Sequence, residues 1–314
     1  MLTVNEKYGY IISFDIAFHQ LHVMSNYIDG TVIDYKQIDT ESDDIHAILP
    51  LIDQQINDSM QNNKTKKGLL AICFSIHGVV YKNQIKDSPF INMKNVDLYE
   101  RYSELYSVPV VLENEANLAA IYERDFNDGR DKKNLICISI HKGIGAGIIL
   151  NRKLYKGVDG SAGEIGRSHL VPGVKTDISY DKVENYYSEE GIINQIRYKK
   201  NMYQLTVEDV LDLYKKGDPI VTEELSRFIS VLSIIIYNVS VNFAPEAVYV
   251  NSPMIELLPN IYEDIVSSLK GLSFEPKIGL INNTHFVTLL GACALSIHSI
   301  FKLDNYDLNF KIDF

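Results

Sequence analysis

The chain has 314 residues, 46% of them hydrophobic, which is enough to form two lobes of ordinary domain size. Its net charge of −11 argues against a nucleic-acid surface within this chain, because such surfaces neutralise phosphates with Lys and Arg. The three cysteines have no metal-ligand or redox spacing, and no signal peptide is recognisable. The most apolar predicted helix, over residues 228–241, is too short to cross a bilayer. We therefore expect a cytoplasmic protein with no membrane role.

The first third of the chain predicts a three-strand meander followed by alternating helices and strands. The turn signal Asp29-Gly30 and β-rich runs predict the first three strands over residues 8–14, 20–25 and 31–38. Apolar residues at helical spacing follow from Asp44, and Pro50 is expected to bend this helix or delay its start. Further strands over 69–76 and 108–112, with helices over 96–106 and 116–125, complete a βββαβα unit.

A second unit of the same order begins at Asn134. Its predicted strands cover residues 134–140, 145–150, 153–155 and 247–250, and its predicted helices cover 184–198, 207–216, 222–241 and 285–301. The repetition predicts an α/β protein with two lobes of duplicated βββαβα units around a central cleft. We expect a small lobe over residues 1–117 and a large lobe over 118–295, with the segment near 296–314 packing back on the small lobe.

Polar residues are concentrated where the predicted strand over 108–112 meets the next helix, in the run Glu113-Asn114-Glu115-Ala116-Asn117. Sheets of the α/β class bind their ligands at the carboxyl ends of strands. Two glycine-rich segments follow, Gly143-Ile144-Gly145-Ala146-Gly147 and Gly160-Ser161-Ala162-Gly163-Glu164-Ile165-Gly166. The glycines around Glu164 indicate a closely packed backbone rather than an ordinary exposed loop.

Together these motifs resemble the ROK (repressor, ORF, kinase) family of sugar kinases and sugar-responsive repressors. The resemblance covers nearly the whole chain and implies the actin-like ATPase (ribonuclease H-like) fold. It is strongest to the xylose repressors, which tend to have the same Glu-Asn-Glu-Ala-Asn sequence and a His-Gly pair where the kinases have Pro-Gly, as at His77-Gly78.

The resemblance implies a set of sugar-binding residues. Asn114, Glu115, Glu164 and Glu184 match the family's sugar-contacting positions, although for Glu184 a solvated carboxylate is an equal alternative. Ser88 and Gly78 are expected to line the same cleft. Arg167 is expected to donate to a sugar hydroxyl or to pair with Glu164, and His169 is a rival for that role, with a packing or surface position as its simpler interpretation.

The nucleotide side of the family pattern is altered in three places. Kinases of the family have Asp-x-Gly-Gly-Thr where this chain has Asp15-Ile16-Ala17-Phe18-His19, and Phe18 would obstruct the approach of phosphate to the backbone. Residues 140–143 and Asn251-Ser252 also replace glycine-containing family motifs. We therefore expect no ATP and no catalytic residue.

An active kinase remains the alternative, with Glu115 as the base and with ATP and Mg²⁺ held by a second set of residues. In this chain Glu115 stands where the kinases have an aspartate, and the extra methylene displaces its oxygens by up to about 1.5 Å. The residues that would then bind the nucleotide are Asp15, Gly143, Gly145 and Gly291.

Many members of the family hold a structural zinc through a histidine and three cysteines. Here Arg167 takes the histidine position and residues 175–184 contain no cysteine, so no zinc is expected. Without the metal, the loop over residues 170–181 is expected to be mobile.

The favoured hypothesis is the effector domain of a ROK transcriptional repressor, which binds xylose or another aldose without phosphorylating it. It would act as a homodimer and reach DNA only through an N-terminal winged helix-turn-helix that this sequence lacks, and sugar binding would favour one arrangement of the lobes. The alternatives are an ATP-dependent sugar kinase of the same family and a regulator without a DNA-binding head that forms mixed dimers with a full-length repressor.

Overall fold

The computed structural model describes residues 5–169, 181–303, 308 and 310. By internal contacts the chain forms two compact units. The first unit comprises Met1–Lys132, Gly147–Ala162 and His285–Phe314, and the second comprises Lys133–Ala146 and Gly163–Thr284. These boundaries differ from the predicted ones at residues 117 and 295, because the helix that begins at Glu115 packs against strands of the first unit.

The strands, in chain order, are β1 (Tyr10–Ala17), β2 (Gln20–Tyr27), β3 (Val32–Asp39), β4 (Leu69–Ile76), β5 (Val79–Tyr81), β6 (Gln84–Asp87), β7 (Val110–Asn114), β8 (Leu135–Ile140), β9 (Ile144–Leu150), β10 (Lys153–Leu154), β11 (Ala247–Asn251) and β12 (Ile278–Leu280). The helices are α1 (Ile45–Asn62), α2 (Leu98–Tyr106), α3 (Glu115–Phe126), α4 (Glu184–Tyr187), α5 (Glu189–Lys200), α6 (Val207–Lys215), α7 (Pro219–Phe243), α8 (Pro253–Leu257), α9 (Pro259–Leu269) and α10 (Thr284–Phe301).

The two large sheets have the same strand order. The first runs β3-β2-β1-β4-β7 and the second runs β10-β9-β8-β11-β12, so each places its first strand between its second and its fourth. In the first sheet β1 is antiparallel to β2 and parallel to β4, and β4 is parallel to β7. In the second sheet β11 is parallel to both β8 and β12. The duplicated α/β architecture is therefore confirmed.

The parallel pairing of β1, β4 and β7 positions the candidate site in the first unit. Asp15 lies opposite Ser75 in the β1–β4 register, and Ile76 lies opposite Asn114 in the β4–β7 register. The carboxyl ends of the three strands therefore meet at one edge of the sheet, where ligands of α/β sheets bind.

Helix α1 covers a face of this sheet with the apolar residues that its sequence pattern predicts. Ile45, Ile48, Ile52 and Ile56 are all fully buried. The helix begins at Ile45 because the Asp44 side chain accepts a hydrogen bond from the His46 amide at its first turn. Of the two effects predicted for Pro50, a bend or a delayed start, the delayed start is wrong, because the proline lies inside the helix.

Helices α3 and α10 pack closely in the core of the first unit. Every residue of α3 is buried. A Cβ at Gly291 of α10 would lie 2.0 Å from the Leu118 carbonyl oxygen, so only glycine permits this approach. Among the described residues, the helix that is long and apolar enough to cross a membrane is α10, and not the helix over residues 228–241 that was predicted to be the most apolar, but 67% of α10 is buried within the fold, as in the core helix of a globular protein.

Several short elements were absent from the sequence-based prediction: the β5–β6 hairpin, α8, α9 and β12. The predicted helix over residues 184–198 is in fact two helices, because Ser188 has an extended conformation and caps α5 by accepting from the Gly191 amide. This break matters for the site, since it gives Glu184 a separate short helix.

Candidate functional site

At the junction between β7 and α3, both the oxygen and the nitrogen of the Asn114 side-chain amide form hydrogen bonds. The side-chain oxygen accepts from the Asn117 amide at 3.0 Å and thereby caps α3. The side-chain nitrogen donates to the Gly78 carbonyl at 2.7 Å. One N–H and one lone pair of the amide remain, since a primary amide has two of each, and these can bind a hydroxyl group.

The buried side chain of Glu113 stabilises this junction. It was not identified as a site residue from the sequence. Its Oε1 atom accepts from the Asn114 amide and from the Asn117 side chain, each at 2.9 Å, and its Oε2 atom pairs with Lys156 at 2.5 Å. Its side chain is 1% exposed. A carboxylate at the last buried position of an apolar strand is a signal that could have identified it, because such a charge requires partners.

Glu115 is the first residue of α3 and is only 6% exposed. The positive end of the helix dipole favours a carboxylate at this position. Asn114 and Glu115 therefore present an amide and a carboxylate side by side at the edge where the strands end. This pair can recognise vicinal hydroxyl groups, which need both donors and acceptors.

The loop that follows β4 brings Gly78 to the junction but uses Ser88 differently. A Cβ at Gly78 would lie 2.1 Å from the Asp87 carbonyl oxygen, so no larger residue fits. The Ser88 hydroxyl donates to the Ile91 carbonyl at 2.9 Å. In this structure Ser88 thus stabilises its own loop, whereas Gly78 contacts Asn114 directly.

Asp15, near the end of β1, pairs with His77, which follows β4. Nε2 of His77 lies 3.0 Å from Oδ1 of Asp15, and both side chains are 14% exposed. Burial alone would raise the pKa of Asp15, but the charge and hydrogen bond of His77 outweigh burial and hold that pKa at about 2. The sequence marked His77 only as a family signature and did not reveal this partner.

The β1–β2 hairpin turns through two residues, Phe18 and His19. His19 has a φ of +60°, and its carbonyl accepts from the Thr40 amide at 2.8 Å. The Phe18 side chain is 37% exposed. An aromatic side chain thus stands at the tip of the hairpin where the resemblance would place glycines.

In the second unit, Glu164 and Arg167 form an ion pair, Nε to Oε2, at 2.7 Å. Both side chains are about a quarter to a third exposed, so the pair orients the groups more than it stabilises the fold. A Cβ at Gly163, whose φ is +87°, would lie 1.8 Å from the Ala146 carbonyl oxygen. The closely packed backbone predicted around Glu164 is therefore present.

Glu184 begins α4 and also packs against this glycine segment. Its Oε2 atom accepts from the Ile144 amide at 3.3 Å, and its Oε1 atom lies 3.6 Å from the Lys182 amine. A Cβ at Gly166 would lie 2.6 Å from the same Oε2 atom. Glu184 is thus a fixed, mostly buried carboxylate rather than the solvated one of the alternative interpretation.

The two altered nucleotide motifs of the second unit contact each other. Asn251 donates to the Ser139 hydroxyl at 3.0 Å and lies 3.4 Å from Nε2 of His141. The Ser252 hydroxyl donates to Glu189 at 2.6 Å. Burial raises the pKa of Glu189, although the charge of His141 and the hydrogen bond from Ser252 partly oppose this. At these positions the family motifs contain glycine, whereas here the residues have side chains that form hydrogen bonds with neighbouring side chains.

The remaining predicted residues lie in ordinary backbone or packing positions. The Gly143 carbonyl accepts from the His141 amide at 3.0 Å, and Gly145 lies within β9. His169 contacts the Asp181 carbonyl at 2.9 Å. Residues 170–180 of the loop predicted to be mobile, which include most of the segment that lacks zinc-ligating cysteines, fall outside the described residues. Within the described ranges, no group of three or more His, Cys, Asp or Glu side chains could hold a metal ion.

Comparison with known proteins places these features in a family. The sequence matches the ROK family over residues 11–296. It is 42% identical to a xylose repressor of Lactiplantibacillus pentosus over 99% of this chain and 80% of that protein, and 36% identical to a xylose repressor of Staphylococcus xylosus over 99% and 82%. A ROK family glucokinase from Streptomyces griseus, solved with glucose and AMPPNP, has a TM-score of 0.76 at 20% identity and covers 91% of this chain and 99% of its own.

Proposed function

The chain belongs to the ROK family, and we propose that it is the sugar-sensing part of a transcriptional repressor that binds an aldose without phosphorylating it. Xylose is the first candidate, because the relatives that match 99% of this chain are xylose repressors. In the first unit, the residues that we propose to bind the sugar are Asn114 and Glu115. In the second unit, the resemblance to the family implies Glu164, Arg167 and Glu184.

The proposal that the chain binds a sugar is supported by the hydrogen bonds at the β7–α3 junction. Asn114 is fixed by two hydrogen bonds yet keeps one donor and one acceptor, and Glu115 stands beside it at the helix terminus. A site organised before the ligand arrives loses little side-chain entropy on binding. It also discriminates sharply, because a buried hydroxyl without a partner costs about 1–3 kcal/mol.

The proposal that the sugar is not phosphorylated is supported by the hairpin that follows Asp15. A phosphate-binding loop offers backbone N–H groups that no side chain covers. Here the turn carries Phe18, and the carboxylate of Asp15 is already paired with His77. Asp15 would have to leave this partner to serve a magnesium ion.

Regulation by such a site requires only that the sugar bind two conformations of the repressor unequally. A difference of about 1.4 kcal/mol in the binding free energy shifts the equilibrium between them tenfold. In this proposal the sugar weakens DNA binding by the whole repressor, which acts as a dimer. The DNA contacts would come from the part of such repressors that precedes this region.

A sugar kinase is the second candidate, and it is favoured by one specific observation. The fold is shared with a glucokinase that was solved with both sugar and nucleotide, and Glu115 supplies a carboxylate that could accept the hydroxyl proton. The comparison is at 20% identity, so it concerns the fold alone.

Calorimetric titration with a panel of pentoses and hexoses, with and without ATP and Mg²⁺, tests the proposal. We expect saturable heat with one class of aldose, and no ADP release in a coupled assay. Sustained ADP release that Glu115→Gln abolishes would contradict the proposal in favour of the kinase. A panel in which no aldose produces heat would contradict the sugar-sensing function itself.

A further inference from the structure

The Asp15–His77 pair lies next to the sugar-binding junction rather than within it. The pair joins the ends of two neighbouring parallel strands, since Asp15 belongs to β1 and His77 immediately follows β4. The residue after His77 is Gly78, whose carbonyl accepts the hydrogen bond from the Asn114 side chain at 2.7 Å. Two hydrogen bonds, joined by the peptide bond between His77 and Gly78, therefore connect the altered phosphate hairpin with the Asn114 amide.

The turn at residues 76–79 is fixed from more than one side, which is why a change at His77 would reach Gly78. The Gly78 amide donates to the Ile76 carbonyl at 3.0 Å. The Cα atom of Gly78 packs so closely on the Asp87 backbone that a Cβ would lie 2.1 Å from that carbonyl oxygen. The His77 side chain is held by Asp15 on the other side. The position of the Gly78 carbonyl is therefore set jointly by Asp87 and by Asp15.

We propose that Asp15 and His77 are positioning residues of the sugar site, which act through the Gly78 carbonyl on the orientation of Asn114. The inference rests on the proposed function, because it assigns a role in the binding of the same sugar. In this role Asp15 has become an internal partner of His77. Its carboxylate orients a neutral amide two strands away and does not touch the ligand.

The geometry explains why this orientation needs support. The Asn114 oxygen caps α3 and the nitrogen on the same amide donates to Gly78, so a rotation of the amide about its Cβ–Cγ bond would break both hydrogen bonds. A well-placed carbonyl acceptor prevents that rotation. Misplacement of a binding group by about 1 Å can cost roughly 100-fold in an enzymatic rate, and a binding site has the same sensitivity to geometry.

The test is a double-mutant cycle in sugar affinity, measured by calorimetry on the chain in its folded state. Asp15→Ala and His77→Ala, each of which removes the hydrogen bond between the two side chains, are expected to weaken sugar binding about 5- to 10-fold. His77→Gln, whose amide can still donate to Asp15, is the matched control and should bind within about twofold of the wild type. Because simple sugars are very soluble, weak binding remains measurable in Asn114→Ala.

The combination of Asp15→Ala with Asn114→Ala separates positioning from a general loss of structure. If Asp15 acts through Asn114, its substitution should have almost no further effect in the Asn114→Ala background, whereas independent effects would add. Urea unfolding at the same pH verifies that each variant is folded.

Three outcomes are distinguishable. Loss of affinity in both single variants with a non-additive double variant supports the inference. Wild-type affinity in Asp15→Ala, or additive losses, overturns the inference and leaves the sugar site intact. If the wild-type chain binds no aldose, or if Asn114→Ala binds it normally, the proposed site fails and the inference fails with it.

Discussion

The β7–α3 junction and the β1–β2 hairpin lie at the same edge of one sheet, but their polar groups are used in opposite ways. At the junction, buried Glu113 holds the backbone and the Asn114 side chain retains hydrogen-bonding capacity. At the hairpin, Asp15 is bound to His77, and the turn carries an aromatic side chain. In the proposed function the first region binds a ligand, whereas in the second region Asp15 is bonded to another side chain of the same protein.

If the hairpin has lost its nucleotide, as proposed, the comparison shows what has taken the place of that ligand. A carboxylate that no longer has a cation must find another partner or be neutralised, because a buried unpaired charge is costly. Asp15 has found His77. The same logic applies in the second unit, where the side chains of Asn251 and Ser252 bond to Ser139 and Glu189.

The largest expected effect concerns Glu123 on α3, which sharpens the contrast between a carboxylate bonded to a histidine and a carboxyl whose Oε1 atom accepts from the neutral amide of Asn127, at 2.7 Å. Glu123 is fully buried, its Oε2 atom has no hydrogen-bond partner among the described residues, and burial raises its pKa from 4.5 to about 8. The folded state therefore binds more protons than the unfolded state between these values, and stability is lost as the pH rises through about 8.

Glu123→Gln should remove this dependence. Between pH 5 and pH 9 the difference in the free energy of unfolding between variant and wild type should change by roughly 4 kcal/mol, since each unit of pKa difference corresponds to about 1.4 kcal/mol. Urea unfolding followed by circular dichroism at both pH values measures it. If the difference in the free energy of unfolding is the same at pH 5 and pH 9, Glu123 ionises with an ordinary pKa. The control is Glu208→Gln, at an exposed position on α6.

The next effect tests the junction itself. Asn114→Ala should weaken sugar binding roughly 50-fold, which corresponds to about 2.3 kcal/mol and lies within the cost of leaving a buried hydroxyl without a partner. Because this variant also loses the cap of α3, Asn114→Asp is the informative companion: its carboxylate can still accept from the Asn117 amide but cannot donate to Gly78. Normal sugar affinity in Asn114→Asp would show that the amide donor is unimportant.

Asp15 should affect stability with the opposite dependence on pH. Its pKa is lowered from 3.8 to about 2 in the folded state, so its contribution is fully present above about pH 4 and is lost as the pH falls through 2. Asp15→Asn should cost about 2 kcal/mol at pH 6, and this cost should shrink at pH 2 to 3. Urea unfolding of both proteins across this range gives the answer, and a cost independent of pH would mean that the ion pair is not its source.

The smallest effect is expected from Phe18→Gly, which returns a glycine to the hairpin. Sugar affinity should change less than twofold and no ATP binding should appear, because Asp15 remains paired with His77. Phe18→Leu is the matched control for loss of the aromatic ring. Saturable heat with ATP and Mg²⁺ in Phe18→Gly alone would mean that the ring, and not the ion pair, excludes the nucleotide.

Much of the fold could be predicted from periodicity. The strand β4 was predicted at its observed bounds, and the repeated strand order follows from repeated spacing of apolar runs. The missed elements are short, such as β5 and β12 with three residues each, or begin with proline, as α8 and α9 do. Their place is set by contacts distant in sequence, which a local pattern does not contain.

The candidate site was predictable in its residue types and in the Glu164–Arg167 pair, whose members are three residues apart, but not in its pairs between distant segments. Asn114 and Glu115 were expected where the structure places them, because a polar run at the end of a strand is a local signal. The Asp15–His77 pair spans 62 positions, and the Glu113–Lys156 pair spans 43. Such partners depend on which strands become neighbours, so only the folded chain reveals them.

The most direct test of the central claim is one calorimetric titration of the wild-type chain with xylose, in the absence and then in the presence of ATP and Mg²⁺. Calorimetry suits this chain because it contains no Trp as a fluorescent probe. The account predicts saturable heat with one sugar per chain and the same affinity and heat in both titrations. Heat of nucleotide binding, or a continuous heat signal from sugar phosphorylation when ATP is present, would contradict it.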